Sequence, residues 1–408
     1  MTTRLTFEVL RDACQHAAAI RRTARMQPAG GKGDKVFPPT YQGGAYAKEV
    51  RVLEGARVPC VLLDSVQSQA NRMEGALLDA HRQNRIKIPV VSVDFGAAGL
   101  PDVGEVTSLD APHRFADAIL RDSNYNDVAF RDSDLGKILD TASVKNATAL
   151  FGVCPTALIF GLWDSAGPQG GLGTKFARAL VSEIVAVDAE TGVRPSSRID
   201  PLAIRKDAGP VYEAKEGGWT IEESKAKQEK SKPKLWRKQG APSELNHGNV
   251  VPSLTSEKGG ANHGGVTFQY ARQTAVISLA ALRRLRFPND AGACTATRDQ
   301  AAHVALAALS LAAVVLGCAD SDLRSRCALV VEEGARPSIE IVGSDGSIRT
   351  FTLTREEAEA LLSDSVAEAR RNGLPWHDQG YQLKPRAELV ALVDKSRKNA
   401  VAQGTAEE

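Results

Sequence analysis

One stretch constrains the fold more than any other: Thr156–Val187, TALIFGLWDSAGPQGGLGTKFARALVSEIVAV. It reads as strand, glycine-rich loop, helix, strand. Thr156–Leu162 is a short apolar run with β-branched and aromatic residues, the pattern of a buried strand. Gly167, Gly170, Gly171 and Gly173 let the backbone turn sharply and leave its N–H groups uncovered. Thr174–Leu180 reads as a first helical turn, with Lys175 and Arg178 beside the loop. Uncovered donors, a helix N-terminus and two cations together make an anion site.

The spacing narrows the anion. A Walker-type loop needs Gly-x4-Gly-Lys-Ser/Thr, but five residues rather than four separate Gly167 from Gly173, and Thr174 precedes Lys175. A dinucleotide fingerprint needs a small third residue after Gly171-Leu172-Gly173, where Phe176 stands. A nucleic-acid backbone needs only donors and positive charge, with no fixed spacing. A surface loop without a ligand is the other alternative.

Charge must then be local. The 408 residues carry a formal net charge of only +2, so a nucleic-acid surface has to be a patch. The six cysteines form no Cys-x-x-Cys pair, which speaks against zinc and for a reduced, cytoplasmic setting. The N-terminus lacks the apolar core of a signal peptide. The most apolar run, Val304–Gly317, is too short and alanine-rich to span a bilayer and reads as a buried helix, so no membrane partner is expected.

Three further stretches offer nucleic-acid chemistry. Thr6–Arg25 is expected to be one helix ending in Arg21, Arg22 and Arg25. The loop Gln27–Tyr46 that follows interleaves Lys32 and Lys35 with Phe37, Tyr41 and Tyr46, as suits stacked bases and paired phosphates; an ordinary loop whose aromatics dock on the core is equally compatible. After a strand at Cys60–Leu63, Val66, Ala70, Met73 and Leu77 give a helix its buried face. Its other face carries Gln67, Ser68, Gln69, Asn71 and Arg72, rich in amides that bond to base edges, sugars or a partner's backbone. Lys225–Gly240 holds Lys225, Lys227, Lys230, Lys232, Lys234, Arg237 and Lys238 against Glu229, with Trp236 its main apolar residue. It reads as a solvated or phosphate-seeking arm in which Trp236 stacks or wedges.

The remaining elements are a helix at His113–Asp122 and strands at Ile88–Asp94, Thr267–Leu279, Cys327–Glu332, Ser338–Val342 and Ser347–Leu353. A capping box at Thr354 and Glu357 starts a helix that ends at Gly373. The order is mixed, which predicts an α+β core with inserted arms. Residues 1–205 and 257–395 are expected to form the core, 206–256 a basic flexible arm, and 396–408 a polar, disordered tail.

No hydrolase elbow, zinc-helix motif or Cys–His pairing stands out, and His113 reads as structural. No cofactor, metal site or catalytic residue is expected. Asp64 and Asp164 are candidates for metal-assisted RNA cleavage, but each reads more simply as a helix cap or turn residue.

Four motifs then occur in order: FPPTY at Phe37–Tyr41 with Gly43-Gly44, LLDSVQSQANRME at Leu62–Glu74, FGLWDSAGPQGGLGTKFARALVSEI at Phe160–Ile184, and SRIDPL at Ser197–Leu202. Together they resemble the CRISPR-associated RAMP-superfamily backbone subunit of the type I-G (formerly I-U) Cascade effector complex. The resemblance covers most of the chain. It implies a palm like an RNA recognition motif, a ferredoxin-like βαββαβ sheet with inserted finger and thumb arms. It implies copies stacked along one CRISPR RNA, other type I-G effector subunits as partners, and a guide presented for pairing with target DNA. Type I backbone subunits are scaffolds, whereas type III relatives cut RNA with a loop aspartate, which is the alternative. The resemblance turns two stretches into guide contacts, the SVQSQANR face with Ser68, Gln69, Asn71 and Arg72 and the Gly170–Arg178 loop with Gly171, Gly173, Lys175 and Arg178, and makes the arm Lys206–Ser256 a candidate thumb or finger; the residue pattern adds Lys32, Lys35 and Tyr41 in the first loop and Lys234, Trp236 and Arg237 in the arm as candidate RNA contacts.

Overall fold

The computed structural model describes residues 3–165, 167, 173–254, 263–318 and 321–407. It divides into two compact units, residues 1–190 with 267–390, and residues 191–266 with 391–408.

The first unit is built on a twisted sheet. Its strands are β1 (Ala19–Pro28), β2 (Lys48–Leu53), β3 (Ala56–Asp64), β4 (Leu180–Val193), β5 (His263–Ser278), β6 (Ser338–Val342) and β7 (Ile348–Thr352), with two short additions. In space the path runs β7-β6-β1-β5-β4-β3-β2. Helix α1 (Phe7–His16) precedes β1, α2 (Val66–Arg82) follows β3, α3 (Ala296–Gly317) follows β5, and α4 (Arg355–Arg371) follows β7. The chain order β1, α2, β4, β5, α3, β6 has the sheet order β6-β1-β5-β4, with β1 antiparallel to both neighbours. That is the 4-1-3-2 order of a ferredoxin-like palm, as expected. The β2–β3 hairpin extends the sheet beyond β4.

The helices share one face of the sheet. Residues Ile20, Ala275, Ile277 and Ile339 meet Leu311 and Val314 of α3 there. Helix α3 is long and apolar enough to cross a membrane by length and composition, yet most of it is buried in the protein. It packs against α1, α2 and α4. Gly317 permits the α2 contact, because a Cβ there would lie 2.8 Å from the Met73 side chain.

A smaller sheet in the same unit pairs Val128–Ala129, Ser123–Tyr125, Tyr381–Pro385, Val91–Asp94 and Glu105–Thr107. The capping box of Thr354 and Glu357 starts α4, as expected.

Five expectations are corrected. The helix predicted over Thr6–Arg25 stops at His16, and Arg21, Arg22 and Arg25 lie on β1. Ile20, Ala24 and Met26 are buried at alternate positions, so the period-two pattern of a sheet wins after Ala17. Thr156–Phe160 is a short helix rather than a strand, buried all round and ended by Gly161 at φ 89°. A short apolar run buried on every side has no period to read. Lys175–Phe176 is a strand paired with Leu162–Trp163, so no helix begins at Thr174. The tail is helical over Ala387–Glu407. The segment His113–Asp122 also breaks into two short turns, with the Asp117 carboxylate accepting from Ile119 N–H.

In the second unit, three short strand pairs follow one another: Ser196–Arg198 with Val250–Ser253, Tyr212–Glu213 with Trp219–Thr220, and Gln228–Glu229 with Lys232–Pro233. Asp200 ties its base, accepting from the N–H groups of Gly248, Leu202 and Ile204.

A candidate nucleic-acid groove

Ser65 caps α2 by accepting from Ser68 N–H. Ala70, Met73 and Leu77 then face the core. This phase leaves Gln67 and Asn71 exposed, and they line a groove of about 390 Å³ together with His113, Trp163, Lys175 and Arg178.

The Leu162–Trp163 and Lys175–Phe176 pairing puts Lys175 directly across from Trp163. Its ammonium lies 5.1 Å from the centre of an indole that is 48% exposed. An exposed aromatic face beside a cation is what a stacked base and its phosphate require. Gly161 shapes the adjoining wall. At φ 89° its missing Cβ would stand 3.0 Å from Arg178 Cγ and 3.2 Å from the Phe176 carbonyl, so only glycine fits.

Beneath the groove lies a buried ion pair. Arg114 Nε and Nη2 donate to the two oxygens of Glu74 at 2.6 and 2.8 Å, and Nη1 donates to the Gly161 carbonyl at 3.0 Å. Glu74 comes from α2, so the pair links the helix to the loop. Burial pushes the Glu74 carboxyl up to about 7, with the Arg114 hydrogen bonds pulling the other way. Burial, and next the charge of Arg114, hold Arg178 below the ordinary guanidinium range.

The expected contacts divide. Asn71, Lys175 and Arg178 meet in the groove. Ser68 is half-buried beside them on α2. Gln69 is withdrawn from solvent: its amide donates to Asp64 at 2.6 Å and its carbonyl accepts from Ser182 and Gln273. Arg72 is also committed internally, to Asp64 at 3.0 Å and to the carbonyls of Asp322 and Leu323. Both therefore brace α2 rather than offer contacts. Gly173 is half-buried, without a helix behind it; Gly171 lies outside the described residues.

Lys32, Lys35 and Tyr41 do not line the groove. Lys32 sits 3.6 Å from Glu332, Lys35 is half-buried, and Tyr41 is exposed. In the second unit, Lys234 pairs with Glu213 at 2.6 Å and Arg237 is exposed. Trp236 is buried, its indole N–H without a partner among the described residues, so it cannot stack or wedge as expected. Its apolar ring closes the inside of the arm, the strongest pull on a lone tryptophan in a charged segment.

Sequence reasoning missed Trp163, His113 and Arg114 as parts of the groove. Trp163 carried a signal, a tryptophan at the mouth of a glycine-rich loop. Arg114 carried none, because its partner Glu74 is forty residues away. The two aspartates considered for cleavage are both tied down. Asp64 accepts from Gln69 and Arg72, and Asp164 is buried against Arg131.

Residues 20–191 match the family model described as CRISPR-associated protein GSU0053. That span, less than half of the chain, is similar to a CRISPR-associated protein family. Every residue of the groove named above falls inside the matched span. No curated protein matches the chain.

Proposed function

We propose that this protein is a non-catalytic backbone subunit of a RAMP-type effector, of the type I-G class of Cascade. It binds CRISPR RNA, oligomerises along the guide with other copies of itself and other effector subunits in the cytoplasm, and presents the guide for pairing with target DNA. One observation carries the reading: the groove that sets Lys175 and Arg178 beside an exposed tryptophan and two exposed amides, inside the CRISPR-associated span. Cations meet phosphates, Trp163 stacks a base, and Gln67 and Asn71 bond sugars or base edges. The internal pairing of Asp64 and Asp164 favours a scaffold over an RNA-cleaving subunit.

The test is to purify the protein with its partner subunits, then measure its absorbance ratio and sequence the nucleic acid that co-purifies. Guide-length RNA carrying repeat sequence is expected, with several protomers per guide. Nucleic-acid-free protein that stays monomeric on added guide would sink the reading. Magnesium and complementary RNA added to the assembled complex should leave that RNA whole.

A further inference from the structure

The β2–β3 hairpin carries the sheet past the palm and leaves it with an open edge. Glu54 and Gly55 form its two-residue turn, with φ of 51° and 84°, as in the type I′ turns that suit paired strands. Such a turn makes Leu53 and Ala56 a hydrogen-bonded pair, and bonded and non-bonded pairs alternate from there. Arg51 with Val58 and Glu49 with Cys60 are then bonded pairs, and Leu62 N–H donates to the Ala47 carbonyl at 3.0 Å in the same phase. Val50 stands opposite Pro59, which has no N–H to give. Lys48, Val50 and Val52 therefore turn their N–H and C=O groups outward, along an edge that no other strand covers among the described residues.

The side chains of these three residues share one face of the hairpin. Val50 is 55% and Val52 68% exposed, with exposed Pro59 beside them. Exposed Lys48 and Arg57 bracket this apolar strip, and neither has an ion pair among the described residues. On the other face, Arg51 is held by Glu49 and Glu183. Open edges are commonly blunted by a bulge or a proline, but β2 pairs without a register shift and contains no proline. The edge thus offers a row of backbone donors and acceptors, two valines at alternate positions and two unanswered cations. An extended acidic polypeptide uses all three. An RNA strand would use the cations and leave the valines and the backbone row unmatched. Two copies joined edge to edge would gather the four cations of both strips on one face, where like charges repel.

We propose that the open β2 edge is a docking site for an extended segment of a partner protein, which adds a strand to the sheet with apolar side chains over Val50 and Val52 and carboxylates on Lys48 and Arg57. The site is separate from the groove of Lys175 and Arg178, and its test does not depend on what that groove binds.

The experiment titrates the full chain, by anisotropy, with a labelled peptide of about six residues, the length of a common strand, in which threonine alternates with valine and glutamate. Saturable binding is expected, with amide exchange at Val50 and Val52 slowed in the complex. The same peptide with lysine in place of glutamate should bind about tenfold more weakly. Val50→Pro removes an outward N–H and no bond within the hairpin, so it should leave the melting temperature unchanged and weaken binding about tenfold. Lys48→Glu with Arg57→Glu should reverse the preference between the two peptides, a readout that stands even if Val50→Pro fails to fold. No saturable binding, unchanged binding by folded Val50→Pro, or a glutamate preference kept by the charge-reversed protein would overturn the proposal. So would displacement of the peptide by polyuridylate at lower concentration than by unlabelled peptide, or a dimer in sedimentation that Val50→Pro dissolves.

Discussion

The groove beside Trp163 and the arm of residues 206–256 are both basic, but their cations are committed differently. In the arm, Lys225 pairs with Glu222 at 2.7 Å, and Lys227 and Lys234 share Glu213. Those contacts draw the Glu213 carboxyl below its ordinary range and hold short strands together. In the groove, Lys175 faces only the Trp163 ring and Arg178 has no carboxylate partner among the described residues. The count of lysines in a segment therefore says little about where an anion binds. What matters is how many cations the fold has left unanswered next to groups that recognise something else.

The groove also has a foundation. Removing one partner of a buried ion pair leaves the other charge stranded, which costs about 3–5 kcal/mol. Arg114→Ala should therefore lower unfolding stability by that amount in urea titration and abolish RNA retention. A mild effect on both would show that the Glu74–Arg114 link does not shape the groove. Next in size is the pair Lys175→Glu and Arg178→Glu. Filter binding should show RNA affinity reduced by about two orders of magnitude and a salt slope lower by about two, as for two lost phosphate contacts. Its melting temperature should stay close to that of the wild type, because both side chains are exposed.

The pH dependence sharpens the same point. The Glu74 carboxyl is raised in the fold from its ordinary 4.5 to about 7, so the folded state holds a proton that the unfolded chain gives up. The associated stability is present below about 4.5 and is lost as pH rises through 7. Melting temperatures taken from pH 5 to 8 should fall more steeply for the wild type than for Glu74→Gln. Parallel slopes would place the titration elsewhere. The smallest effect belongs to the arm. Lys234→Ala removes one solvent-screened pair and should change RNA affinity by less than about threefold. An effect as large as that of the groove double variant would reverse the comparison.

The legibility of the molecule followed the range of its interactions. The amphipathic spacing of Val66, Ala70, Met73 and Leu77 gave α2, and Thr354 with Glu357 gave the start of α4, because both patterns are local. The palm itself was anticipated through the four motifs rather than through periodicity. Lys175, Arg178 and Asn71 were singled out, but the reason offered for the first two was wrong: they flank a β-hairpin, not a helix N-terminus. Gln69 and Arg72 looked like contacts because nothing local reveals Ser182, Gln273 or Leu323 waiting across the fold. Trp236 misled for the opposite reason, since an aromatic among lysines suits a base or a small core equally well.

The arm's attachment has a consequence of its own. Residues 191–266 leave the palm at the end of β4 and return at the start of β5, and these two strands are neighbours in the sheet. Paired strands hold the two ends of such an excursion about 5 Å apart whatever its length. Lengthening or trimming it then changes closure entropy only logarithmically. The connection behaves as a socket: related chains are free to carry arms of different size and sequence on the same palm, and a designer can exchange one for another without rewriting the sheet.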